Sequence, residues 1–246
     1  MFAEDEARII VDSASSPDEL ATMVHRRAEG LPLEHVVGWA ELCGRRYAVA
    51  PGVFVPRRRS ELLVATAIAL AHPGAIVVDL CCGSGALGAA VAAAVAGVEL
   101  HAGDIDPAAV RCARENVAAL GGHAYEGDLY DPLPARLHGR VDVLLANAPY
   151  VPTAAIALLP GEAREHEARV ALDGGADGLD VHRRVAAGAP EWLAPGGSLM
   201  IETTGLQAPA MLAVLAEHSL VARTVYAAEL EATVIVATRS GGAVSQ

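Results

Sequence analysis

The chemistry of this chain concentrates where the apolar run Val141-Asp142-Val143-Leu144-Leu145-Ala146 gives way to Asn147-Ala148-Pro149-Tyr150. A short run of Val and Leu bounded by turn residues reads as a buried strand. Pro149 holds Ala148 extended and brings no N–H of its own. The Asn147 side-chain oxygen and the Ala148 carbonyl are then two acceptors at a strand end, with the flat Tyr150 ring beside them. Such a corner suits a planar NH2 group, and ligands of open α/β folds bind at the carboxyl ends of strands. The same four letters are also ordinary strand-to-loop residues, so the choice falls to the elements around them.

A second stretch, Val77-Val78-Asp79-Leu80-Cys81-Cys82-Gly83-Ser84-Gly85-Ala86-Leu87-Gly88, runs from a strand through a glycine turn into a helix and contains G-x-G-x-x-G. A dinucleotide site competes for it. Asp79, however, stands just before the turn, where a carboxylate would repel a pyrophosphate. The cationic sulfonium and ammonium of S-adenosylmethionine are instead attracted to an acid-lined pocket. Asp104, about 20 residues past the glycines and at the end of a second strand, is placed to accept from ribose hydroxyls. Asp128, in Gly127-Asp128-Leu129 after a third strand, is placed to accept from an adenine amino group. Asp106, before Pro107, is either a further acid of the pocket or the N-cap of the next helix.

With 246 residues, 53% of them apolar, the chain can bury a full core. One domain with a small appendage is expected rather than two equal domains. The acidic start lacks a basic n-region, and the apolar tract 86–98 is too short for a membrane span, so a cytoplasmic protein without a membrane partner is expected. The four cysteines form no C-x-x-C pair; reduced thiols and no metal site are expected. A net charge of −12 disfavours nucleic acid as a partner. All 18 basic residues are Arg, which removes P-loop, Schiff-base and pyridoxal phosphate chemistry. The nine histidines lack ligand spacing, and none is assigned to the site.

The elements that position these groups read as follows. Ser16-Pro17-Asp18-Glu19 predicts a helix over 17–29. Residues 36–50, around Cys43-Gly44-Arg45, predict a β-hairpin. An extended segment 51–60 leads into a helix over about 60–71, and its Arg57-Arg58-Arg59 either holds an anionic group or is a solvated helix N-terminus. Strands 75–80, 98–103, 122–126, 141–147 and 197–203 alternate with helices 86–96, 107–120, 178–193 and 207–217, the pattern of an α/β, doubly wound parallel sheet. Runs 220–227 and 232–238 predict an antiparallel hairpin that closes it. Two units result: 1–50, a short N-terminal helical segment and β-hairpin, and 51–246, a cofactor-binding domain.

Asp79 to Gly85, Asp104, Asp128 and Asn147 to Tyr150, in this order, resemble a class I methyltransferase of the N-methylating kind. More narrowly, Gly38-Trp-Ala-Glu-Leu-Cys-Gly44, Val53-Phe-Val-Pro56-Arg57 with Glu61-Leu-Leu-Val64, and Ala171-Leu-Asp-Gly-Gly-Ala-Asp-Gly-Leu-Asp180 resemble the HemK/PrmC family of protein-glutamine methyltransferases. The resemblance runs from about residue 34 to the end. It implies a seven-stranded, mostly parallel class I methyltransferase sheet with a C-terminal antiparallel strand. It also implies S-adenosylmethionine as cofactor, and N-methylation of a glutamine side chain in a protein such as a translation release factor. Asn147, Pro149 and Tyr150 are then expected to be catalytic, with Asn147, Ala148, Pro149, Tyr150 and Arg57 against the substrate. Cofactor contacts are expected from Asp79, Cys81, Cys82, Gly83, Ser84, Gly85, Asp104, Ile105, Asp128, Leu129 and Asn147.

The chain departs from the family at named places. Ala148 replaces the first proline of Asn-Pro-Pro-Tyr, Cys81-Cys82 replaces Gly-Thr, and Arg57-Arg58-Arg59-Ser60-Glu61 stands for Arg-Pro-x-Thr-Glu. Fewer residues precede the hairpin than make up the family's N-terminal helical domain, so the reaction carries over better than the substrate. The alternatives are a small-molecule amide or amine as acceptor, a nucleic-acid adenine or cytosine flipped into the site, and a ligand-binding protein without turnover.

Overall fold

The computed structural model describes residues 3–241. Helices α1 (Ala3–Ser13), α2 (Pro17–Ala28) and the short α3 (Leu33–Val37) come first, followed by the hairpin β1 (Trp39–Leu42) and β2 (Arg45–Ala48). Ser16 Oγ accepts from the Glu19 N–H at 3.2 Å, with Pro17 in the first turn, which starts α2 where the sequence places it. Ile10, Met23, Leu33 and Val36 close a small core between the three helices. α1 and α3 were not expected. Residues 33–37 wind up because Gly38, at φ +82, supplies a left-handed helix stop, so the hairpin begins later than the predicted 36.

The main unit runs α4 (Glu61–Leu70), β3 (Ile76–Leu80), α5 (Ala86–Ala94), β4 (Glu99–Asp104), α6 (Pro107–Ala118), β5 (His123–Glu126) and β6 (Val141–Ala146). It continues with α7 (Gly161–His166), α8 (Asp180–Trp192), β7 (Leu193–Thr203), α9 (Ala208–Glu217), β8 (Leu220–Ala227) and β9 (Ala232–Arg239). The strand order is β5-β4-β3-β6-β7-β9-β8, with β9 antiparallel to both its neighbours and the other pairs parallel. This is the doubly wound, seven-stranded sheet expected. One apolar layer packs on each face, around Leu144, Ile201 and Met211 on one side and Val77, Leu145 and Met200 on the other. Strand order reverses at β3, which has β4 on one side and β6 on the other, so a crevice opens at their carboxyl ends. β7 starts earlier than predicted. Leu193 already pairs with Val141, and the next pairing, Ser198 with Val143, leaves Pro195-Gly196-Gly197 in a bulge between them.

Candidate active site

The turn after β3 is built on left-handed residues, Cys81 at φ 53, Gly83 at φ 55 and Gly85 at φ 73. A Cβ on Gly85 would stand 3.0 Å from the Cβ of Ala113, so the loop packs directly on α6. Asn116 locks it from the hairpin side: its amide donates to the Ala48 carbonyl at 2.9 Å and to the Ser84 carbonyl at 2.8 Å. The glycine N–H groups are all spent on protein acceptors. Gly83 donates to Asp104 Oδ2 at 2.8 Å, Gly85 to the Cys82 carbonyl at 2.8 Å and Gly88 to Asp79 Oδ2 at 2.9 Å. A pyrophosphate would find no free donor at these glycines, which counts against the dinucleotide reading.

Asp79 is placed differently from the expectation. It is fully buried beneath the loop, does not line the cleft, and holds the turn from below, with Oδ1 unpartnered among the described residues. Gly85 likewise shapes the loop without lining the cleft. Burial pushes the Asp79 carboxyl up to about 7, the Gly88 N–H opposing and Asp104 adding to the rise. The folded state therefore keeps a proton that the unfolded chain releases well below neutrality. The stability this group contributes is full at acid pH and is lost as pH rises through about 7. Asp79→Asn should gain stability relative to the parent between pH 5 and pH 8, measured by denaturant melts; parallel curves would contradict the burial argument.

The cleft above the loop is lined by Cys81, Cys82, Gly83, Ser84, Asp104, Ile105, Asp128, Leu129, Asn147 and Pro149, with Phe54, Pro56 and Ser60 closing it from the segment before α4. Asp104 is held at both oxygens, Oδ1 accepting from the Asp106 N–H at 2.9 Å, and burial raises its pKa. Asp106 caps α6, accepting from the Ala108 N–H at 2.8 Å, and also faces the cleft, so both readings of it hold. Asp128 lines the cleft with its Oδ2 paired to Arg184 at 2.6 Å. Asp104, Asp106 and Asp128 against Arg184 still leave the lining acidic, and an apolar cleft with an acidic edge fits S-adenosylmethionine. Asp104→Ala should weaken cofactor binding by about 1.5–3 kcal/mol, the range for hydrogen bonds to a charged group. Calorimetry with S-adenosylhomocysteine checks this.

Asn147 lies at the carboxyl end of β6. Its Nδ2 donates to Ser60 Oγ at 3.4 Å, and Ser60 is fully buried in the turn that opens α4. That bond turns the amide so that Oδ1 carries no protein partner among the described residues. Ser60 was not singled out from the sequence; the family's Thr at that place was the available signal. A second cavity is lined by Arg57, Arg59, Ala148, Tyr150, Glu162 and Leu172. It shares Phe54, Asn147, Pro149 and Ala171 with the first, so the tetrapeptide is the wall between them.

The tetrapeptide is braced from behind. The Val151 N–H donates to the Leu172 carbonyl at 3.0 Å, the Gly174 N–H to Val151 at 2.9 Å and the Gln207 side chain to the Tyr150 carbonyl at 2.9 Å. The 171–180 motif is therefore the backing strap of the site. The Tyr150 hydroxyl donates to Glu202 Oε1 at 3.2 Å, and its ring stacks on His182, centroids 6.2 Å apart and planes 15° from parallel. Burial, reinforced by Glu202, pushes the Tyr150 phenol up to about 12. His182, fully buried, is pushed down to about 4 by desolvation, so it stands neutral beneath the ring at neutral pH. No histidine had been assigned here, and nothing in its spacing marked it.

Two of the three arginines are paired with buried carboxylates. Arg57 Nη2 contacts both oxygens of buried Glu167, at 2.6 and 2.7 Å, with its guanidinium over the Phe54 ring, and Arg59 Nε donates to Glu202 at 3.0 Å. Arg57 still lines the second cavity. Among the described residues no group of acids, histidines and cysteines could hold a metal, and no helix is long and apolar enough to cross a membrane.

A β5-β4-β3-β6-β7-β9-β8 sheet with an acid-edged cleft at its switch point and an Asn-x-Pro-Tyr wall defines a class I S-adenosylmethionine-dependent methyltransferase. The Methyltransferase small domain family model matches residues 48–175. The release factor glutamine methyltransferase of Geobacter sulfurreducens is 39% identical over 196 residues, covering 78% of this chain and 68% of that one. The 4-amino-L-phenylalanine/4-methylamino-L-phenylalanine methyltransferase of Streptomyces pristinaespiralis is 37% identical over 186 residues, covering 73% and 63%. The solved structure of the T. thermophilus 16S rRNA N2 G1207 methyltransferase, in complex with AdoMet and guanosine, superposes with a TM-score of 0.57 at 24% identity over 82% of this chain and 49% of that one, which shows the shared fold. The chain belongs to the HemK/PrmC family of protein-glutamine methyltransferases.

Proposed function

We propose that the protein methylates the side-chain amide nitrogen of a glutamine in a translation release factor. The observation that supports this most is the shared wall of the two cavities: Asn147 and Pro149 border both the acid-edged cleft and the second cavity. An amide presented in the second cavity meets the cofactor's cleft across the Asn147 acceptor. When bound, S-adenosylmethionine supplies a methyl carbon made electrophilic by its sulfonium.

An amide nitrogen is a weak nucleophile because its lone pair is delocalised into the carbonyl. Asn147 Oδ1 and the Ala148 carbonyl each accept one of its N–H groups, which fixes the plane of the amide and leaves its lone pair, perpendicular to that plane, facing the methyl carbon. Asn147 Nδ2 faces Ser60 Oγ, which leaves Oδ1 for the substrate, and the Tyr150 ring, held by Glu202 and His182, packs against the acceptor plane. A phenol near 12 and a desolvated imidazole near 4 make neither Tyr150 nor His182 a strong base at neutral pH. The extra proton leaves to water after the C–N bond has formed.

The Streptomyces relative, named for an aromatic amine acceptor, supports a second reading with the same chemistry on a small molecule. Competition separates the two. We expect kcat/KM for a release factor to exceed that for 4-amino-L-phenylalanine by about 10²-fold or more, the scale on which a site built to hydrogen-bond one acceptor rejects another. The reverse order would replace the proposal with the small-molecule reading.

A further inference from the structure

Arg59 spends its guanidinium in an unusual way. Its Nε donates to Glu202 Oε1 at 3.0 Å, while Glu202 Oε2 is buried without a partner among the described residues. A guanidinium present only to neutralise that carboxylate would turn its Nη fork to both oxygens, satisfying the second one as well. Arg57 does satisfy both oxygens of Glu167, although through the single nitrogen Nη2 and not through its fork. Arg59 instead leaves Oε2 unsatisfied; its Nη1 and Nη2 meet no carboxylate or carbonyl among the described residues, and the Tyr150 hydroxyl, itself bound to Glu202, is the one further side-chain oxygen that interacts with the guanidinium.

The fork is held in place. The buried Glu202 fixes Nε, the guanidinium carbon lies 5.8 Å from the centroid of the Tyr150 ring, and the residue sits in the short turn Arg58–Ser60 whose last member positions Asn147. A planar cation fixed at one edge and resting on an aromatic face has little freedom left at its other edge. Arg59 lines the second cavity together with Tyr150 and Asn147, while its side chain remains 42% exposed, so the edge is both fixed and reachable. The remaining lining is largely apolar, Leu159, Pro160 and Leu172 among it, and Glu162 already accepts from Arg27 at 2.7 Å.

We infer that Arg59 is a specificity-determining residue of the acceptor cavity, whose free Nη edge holds a main-chain oxygen of the acceptor, either a peptide carbonyl or a free carboxylate. The inference rests on the second cavity being the acceptor's, as in the proposed function, and adds the group by which the acceptor is gripped away from the reacting nitrogen. A glutamine side chain alone does not distinguish one amide from another. Recognition of the main-chain oxygen behind it does, and it also suppresses idle methylation of small amides that lack one.

The test measures steady-state kinetics for the parent, Arg59→Ala, Arg59→Lys and the paired variant Arg59→Gln/Glu202→Gln, with a release factor, N-acetylglutamine amide and free glutamine as acceptors, and cofactor affinity by calorimetry. Arg59→Ala should raise KM for the release factor about tenfold or more, the loss of a charge-assisted hydrogen bond, with a smaller change in kcat and in cofactor Kd. Lys, a point charge without the fork, should not restore KM. The paired variant replaces the ion pair with two amides, which guards against a misfolded single variant, and should show the same rise. Equal losses on the release factor and the blocked amide assign a peptide carbonyl, whereas a loss larger for free glutamine assigns a carboxylate. An unchanged KM in folded variants, or a rise matched by cofactor Kd, overturns the inference. If the parent methylates no release factor but turns over 4-amino-L-phenylalanine, the proposed function fails, and the same KM comparison on that acceptor decides Arg59 separately.

Discussion

Asn147→Ala is expected to lower the methyl-transfer rate by about 10²-fold or more, the scale for loss of one preorganised polar group. Cofactor affinity should change much less, because Asp104 and the glycine loop are held by their own hydrogen bonds, from Gly83 and Asp106 and from Asn116, and do not lean on Asn147. The variant removes one of two acceptors, so the amide can rotate its lone pair away from the methyl carbon. Asn147→Asp sharpens the test. It keeps an acceptor, and Ser60 Oγ can turn to donate to it, but it adds a negative charge beside the cationic cofactor. Binding should tighten or stay level while transfer slows, since the charged ground state is stabilised more than the transition state. Parent rates in both variants would reduce the tetrapeptide to a turn.

Gly178→Ala is the second large effect, and it acts without touching either ligand. Gly178 sits at φ +78, and a Cβ there would stand 2.3 Å from the Tyr150 carbonyl oxygen, 3.1 Å from its carbon and 2.5 Å from Gln207 Nε2. A backbone carbonyl cannot swing aside as a flexible side chain does. Left-handed strain and overpacking together should cost about 2–5 kcal/mol, and Tm should fall by roughly 5–15 °C for a domain of this size. Gln207 would also lose its hydrogen bond to the Tyr150 carbonyl, so the tetrapeptide shifts as a unit. Folded variant protein should lose methyl transfer far more than it loses cofactor affinity, read by melts, kinetics and calorimetry on one preparation. A melt within a degree of the parent would show that the 171–180 strap yields easily.

The strands and helices of the main unit were legible because each announces itself locally. Ile76–Leu80 and Val141–Ala146 are short, β-branched or leucine-rich and fully apolar but for one Asp, and Asp106-Pro107 carries its own cap signal. α3 was not, because five residues between Pro32 and Gly38 carry no helical period, and Val36-Val37 resembles a strand start. The bulge in β7 was hidden for a related reason: Pro195-Gly196-Gly197 reads as a turn unless the partner strand is known. In the site, residue types were legible and pairings were not. Asp128 and Arg184 lie 56 positions apart, Ser60 and Asn147 87, Arg57 and Glu167 110, and Arg59 and Glu202 143. Whether a carboxylate is a free acceptor or an ion-pair partner depends on those distant residues. Asp79 shows the same limit for charge, since its carboxylate was read as a ligand and its complete burial makes it a strut.

In the proposed function Asn147 and its neighbours orient a planar glutamine amide for methylation. The most direct measurement incubates a release factor with cofactor carrying a labelled methyl group and locates the label by tandem mass spectrometry, for the parent and for Asn147→Ala side by side. One labelled methyl on the side-chain nitrogen of a glutamine is expected with the parent and almost none with the variant. Label on any other atom, or equal labelling by the two proteins, would contradict it.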